Sequence, residues 1–171
     1  MKTLEKKEMK ELLVRCWMTH DGLWFYHSVQ ETGIEATSRI NQAAARAIGA
    51  VEARRITRAL GVEKVSSFKE LAELMQSGFD VIRGDFMNFT YDWTSENRLH
   101  VQTNRCFAQD GIKKLGVIDG YDCGIFARVA GWFDGLDIAC EIDPPLKGCM
   151  LHREGFCHRD FTFDFSASAG I

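Results

Sequence analysis

The stretch Asp85–Trp93, DFMNFTYDW, is where the chain changes its period. Met87, Phe89, Tyr91 and Trp93 alternate with Asn88, Thr90 and Asp92, so apolar side chains fall on one face of an extended segment and polar ones on the other. The turn TSEN follows. Leu99, Val101 and Thr103 then alternate with His100, Gln102 and Asn104, which predicts a hairpin with His100 on its solvent face.

Upstream of this point the spacing is helical. Met9, Leu12, Leu13, Cys16 and Trp17 fit i, i+3, i+4, i+7 and i+8, and predict one buried helix face with Cys16 in the core. A second helix is expected from about Asp21 to Thr32, with Gly33 as its stop. A long helical stretch from Glu35 to Leu60 follows, with Gly49 as a candidate break and Gly61 as its end. Ser67 and Glu70 have the spacing of a capping box and open a fourth helix that should end near Gly78.

Downstream, a helix is expected within Phe107–Leu115, closed by Gly116, and another from Asp122–Cys123 towards Phe133. Leu136, Ile138, Cys140 and Ile142 alternate with polar or small residues and make a third strand, with Cys140 on its apolar face and Pro144–Pro145 as its stop. The last strand is DFTFDF, with Phe161, Phe163 and Phe165 inward. The fold class is therefore α+β: a helical N-terminal half packed on an antiparallel β-sheet with two further helices. Residues 1–171 read as a single domain, a helical layer over 1–80 and a sheet with a cysteine-rich metal site over 81–171.

The bulk numbers narrow the function. A chain of 171 residues with 46% hydrophobic content can fill one core. The net charge is −3, and the nearest basic cluster, Arg54, Arg55 and Arg58, is flanked by acids, so no nucleic-acid partner is expected. No run approaches the ~20 apolar residues of a membrane span, and the charged N-terminus MKTLEKKEMKELL does not resemble a signal peptide. A cytoplasmic location follows as an expectation. In a reducing compartment six cysteines are buried thiols, metal ligands or reactive groups rather than disulfides.

Gly148–Phe161, GCMLHREGFCHRDF, holds two cysteines, two histidines and two acids. Two short extended pieces joined by a glycine turn would bring Cys149 and Cys157 together. Cys123 stands at a predicted helix N-terminus, where the dipole and free N–H groups favour a thiolate. Three such thiolates are a scaffold for zinc, although the spacing lacks the paired C-x₂-C arrangement and ordinary buried cysteines are the competing reading.

YDCGIF followed by a helix and GCMLHREGFCHRDFTF resembles the C-terminal half of 4-vinyl reductase-type domains, which also form the ligand-sensing part of some bacterial aromatic-responsive regulators. The resemblance covers the last fifty to seventy residues, and implies zinc held by Cys123, Cys149 and Cys157. The family's fourth ligand is a Glu three residues before the second cysteine; here that position is Leu146, which cannot ligate. His152 is the nearest substitute, with Glu141, Cys140, Cys106, His158 or water as alternatives. The overall layout is also similar to bacterial L-2-amino-thiazoline-4-carboxylic acid hydrolase-like proteins, which implies ring-opening hydrolysis of a small heterocycle without naming catalytic residues.

The segment CWMTHDGLWFYHSV is the other unusual one. On a helix from about His20, the residues His20, Trp24 and His27 share a face at i, i+4 and i+7, with Asp21 overlapping it. Polar groups against an apolar wall would bind a small polar or aromatic ligand or supply a general base; the competing reading makes the tryptophans core anchors. Three functions are thus in view. The first is a zinc-binding, small-molecule-binding domain, with a homodimer as its expected assembly. The second is a small metal- or thiol-dependent hydrolase. The third is an iron–sulfur protein using Cys106 with the other three cysteines, whose spacings do not match ferredoxin runs.

Overall fold

The computed structural model describes residues 1–95 and 97–165. Glu96, in the expected TSEN turn, and residues 166–171 lie outside the described residues.

The helical half begins with one helix where three were expected. α1 runs Lys6–Leu60, because no proline or left-handed residue interrupts it before Gly33. Gly33 adopts φ 76°, ψ 168° and kinks the helix, the conformation for which the sequence supplies a glycine. Gly61 closes α1 in the left-handed region as expected. Gly49 is no break: a Cβ there would lie 2.1 Å from the Arg128 carbonyl oxygen. α4, Gly124–Gly135, crosses α1 at this point, and a Cβ on Gly131 would lie 2.0 Å from the Arg46 carbonyl oxygen. The glycines let the two backbones meet.

The expected buried stripe near the N-terminus is also corrected. Met9, Leu12, Leu13 and Cys16 are exposed, Trp17 is half-buried, and the buried residues of this limb are Val14 and Phe25. Helical spacing put the apolar residues on one face, but α4 packs on the C-terminal limb of α1 and leaves that face uncovered by the described residues.

α2, Phe68–Ile82, starts where Ser67 Oγ accepts from the Glu70 N–H at 3.3 Å. It runs four residues past Gly78, which lacks a side chain because the Trp132 ring fills the space a Cβ would need. The strands β1, Thr90–Ser95, β2, Arg98–Thr103, β3, Ala139–Asp143, and β4, Cys157–Asp164, form one antiparallel sheet in the order β1-β2-β4-β3. β4 begins three residues before the expected DFTFDF, and its alternation carries back from Phe163 and Phe161 to Arg159 and Cys157, all buried. Phe133 of α4 packs edge-on to Phe161 and Phe163, with ring centroids 5.4 and 4.8 Å away. Leu71, Met75 and Phe79 of α2 join this core, which lies between the helices and the inner sheet face.

Two short helices complete the fold. α3 is Phe107–Lys114 and α5 is Met150–Glu154. α5 corrects the expected pair of extended pieces: Cys149 caps a single helical turn, Gly155 ends it at φ 78°, and Cys157 then opens β4. Among the described residues no helix is long and apolar enough to cross a membrane.

Candidate metal centre and adjoining cavity

Four cysteines line one cavity: Cys106, Cys123, Cys149 and Cys157. The first three stand at the N-caps of α3, α4 and α5, and the fourth is the first residue of β4. Ionisation of one thiol is felt by the others: Cys149 acts on Cys106, Cys106 and Cys157 act on Cys123, and Cys106 and Cys149 act on Cys157. Three helix heads and a strand end therefore deliver four sulfurs to one region.

Burial dominates the chemistry of Cys106, Cys123 and Cys157. It pushes the Cys123 thiol up to about 12, with the Phe126 N–H working weakly the other way. Burial also raises the Cys106 thiol against N–H groups of Gln109 and Ala108, and the Cys157 thiol against Arg159 and the Leu151 N–H. The helix-head thiolate expected for Cys123 is thus outweighed by desolvation.

The donor set fits a soft metal. The cavity wall offers four thiols and no His, Asp or Glu, which is the ligand chemistry of zinc or an iron–sulfur cluster rather than of a hard cation. The sulfurs share the wall without closing on a common point: among the described residues no three His, Cys, Asp or Glu side chains stand in a ready metal-holding group. Backbone N–H groups at three of the sulfurs supply the outer hydrogen bonds that metal thiolates use.

The expected fourth ligand is placed elsewhere. His152, in the last turn of α5, is not part of this wall; its Nε2 lies 3.2 Å from Asp119 Oδ1. Cys106 takes the place beside the three cysteines. Cys140 lies half-buried against the core on β3, as its strand pattern required, and Leu146 packs against the core as well. His158 lies half-buried on the other face of β4, its ring stacked between Phe156 and His100. His100, expected to face solvent, is half-buried, with Nδ1 2.8 Å from Asp160 Oδ1.

One residue was missed. Arg159 is 1% exposed and lines the same cavity. Its guanidinium meets the Met150 sulfur at 2.9 Å, the His158 carbonyl oxygen and, at 5.3 Å, the Phe126 ring. Its Nε has no hydrogen-bond partner. The signal was available: the period-2 pattern of Phe163 and Phe161, carried back two steps, puts Arg159 and Cys157 on the same face.

The cavity itself is small, about 120 Å³, walled by Phe79, Phe89, Phe126 and Trp132 among others. A wider cleft of about 820 Å³ lies between α1, α3 and the head of α4. His20, Asp21 and Trp24 line it and are exposed; His27 does not, and pairs at 3.1 Å with Gln30. The structure therefore brings together three of the four ligand-binding residues expected from the sequence. Tyr121 and Arg128 border both spaces, and Arg128 is held by a partly buried two-point pairing to Glu52 at 2.5 and 2.8 Å.

A family model described as "Family of unknown function (DUF6125)" matches residues 2–155, and the chain belongs to that family. The match takes in Cys106, Cys123 and Cys149 and ends two residues before Cys157. No curated protein and no solved structure matches the chain.

Proposed function

We propose that this member of the family is a zinc-binding domain that binds a small molecule. Cys106, Cys123, Cys149 and Cys157 hold the metal, and the apolar cavity beside them takes the ligand. The observation that carries the reading is the meeting of four thiols from four separate segments on one cavity wall. The resemblance to 4-vinyl reductase-type domains favours the same assignment for three of them.

Zinc bound by four thiolates would tie α3, α4, α5 and β4 together and keep the cavity open between them. A cavity of this size, about 120 Å³, suits a single apolar ring, since an engineered apolar cavity of ~150 Å³ binds benzene. A hydrolase finds less support. A metal with four sulfur ligands leaves no position for water, and thiols raised by burial are poor nucleophiles at neutral pH.

Elemental analysis of protein purified without chelator tests the reading, with Cys106→Ser and His152→Ala as variants. The expected result is one zinc per chain, lost in Cys106→Ser together with several degrees of melting temperature, and kept in His152→Ala. Metal binding free energy is folding free energy, so content and stability should fall together. Iron with visible absorption would assign the same four thiols to an iron–sulfur cluster. Full zinc content in Cys106→Ser with loss in His152→Ala would restore His152 as the fourth ligand.

A further inference from the structure

We propose that Arg159 is the buried countercharge of the thiolate metal site. The inference rests on the zinc reading and adds a residue that is not itself a ligand.

Arg159 carries a permanent charge into a nearly dry interior, at 1% exposure. Among the described residues no carboxylate pairs with it: its contacts are a thioether, a carbonyl oxygen and an aromatic ring, and Nε is unpartnered. A buried charge without an ion-pair partner is strongly disfavoured. Arg159 shares its cavity wall with the four thiols, which can carry negative charge, and follows Cys157 by two residues on the same buried face of β4. Zinc with four thiolates carries a formal charge of −2, and iron–sulfur clusters on four cysteines are also anionic. A guanidinium on the inner face of β4, two residues after Cys157, supplies the compensating positive charge. The same residue then has opposite effects in the two states: a burden on the metal-free protein and a support for the metal-bound one.

That opposition makes the test specific. Zinc affinity is measured by chelator competition, and melting temperature with and without zinc, for wild type, Arg159→Met and Arg159→Lys. Arg159→Met should bind zinc about 10–100-fold more weakly, the usual scale for groups just outside the ligands. Its metal-free form should melt no lower than wild type, because an unpaired buried charge has been replaced by an apolar side chain of similar length. Arg159→Lys should recover most of the affinity. Unchanged affinity in Arg159→Met overturns the proposal. So does a metal-free Arg159→Met protein that melts well below wild type, since Arg159 would then be part of the scaffold. Absence of zinc binding in wild type overturns the zinc reading itself, and this inference with it.

Discussion

Cys123 stands at the head of α4, where the dipole favours a thiolate, yet its thiol is pushed up to about 12. Burial wins because a helix end contributes about 1 kcal/mol at most positions while full desolvation moves a pKa by several units. The balance differs at Asp160, on the outer face of β4. Its partial burial raises the pKa, but hydrogen bonds from Arg98 and His100, each 2.8 Å long, outweigh it and hold the carboxyl below its ordinary 3.8. A depressed pKa contributes stability above the ordinary value and loses it as the pH falls through the folded value. Arg98 is half exposed, so the contribution is modest, about 1 kcal/mol. Asp160→Asn should therefore melt below wild type at pH 7, and thermal melts should show the gap closing below about pH 4. A gap that does not narrow at all as the pH falls below 4 would mean that charge is not its source. The inward and outward alternation that separates Asp160 from Arg159 was legible in the sequence. The pairing of Asp160 with residues sixty positions away on β2 was not, because it depends on strand register.

At the scale of elements, the crossing of α1 and α4 decides the architecture. Gly49, Gly131 and Gly135 each sit where a Cβ would lie 2.5 Å or less from a carbonyl oxygen of the facing helix. Gly131→Ala should therefore force the helices apart and cost about 1–3 kcal/mol, the usual range for overpacking. Chemical denaturation checks this; a loss below 0.5 kcal/mol would show that the crossing relaxes freely. Gly49 read as a break because glycine lowers helix propensity whatever its neighbours do. A glycine that breaks a helix and one that admits a neighbour look alike until the neighbour is in place. Gly61 was read correctly as a left-handed cap, whereas Gly33, expected as a stop, kinks α1 and lets it continue; both turn on the local freedom of a glycine at positive φ.

At the scale of the molecule, the N-terminal limb of α1 leaves Met9, Leu12, Leu13, Leu23 and Trp24 exposed. For a monomer, Leu13→Ser at a position 69% exposed should change stability by less than about 0.5 kcal/mol. Light scattering on wild type and variant separates the alternatives. A mass that is dimeric in wild type and falls in Leu13→Ser would show that a second copy covers this face.

The sequence by itself determined what depends on neighbours a few residues apart: the change of period at Asp85–Trp93, the α+β class, the inward faces of β2 and β4, and the caps at Ser67 and Gly61. Tertiary structure alone decided which distant groups meet. Among the described residues, it put Cys106 rather than His152 with the other thiols, left the apolar row of α1 uncovered, and buried Arg159 on the cysteine cavity without a carboxylate partner. The physical reason is one of range. Periodicity and capping are settled within a turn or a strand, whereas the meeting of α3, α4, α5 and β4 is set by how a whole core fills its space.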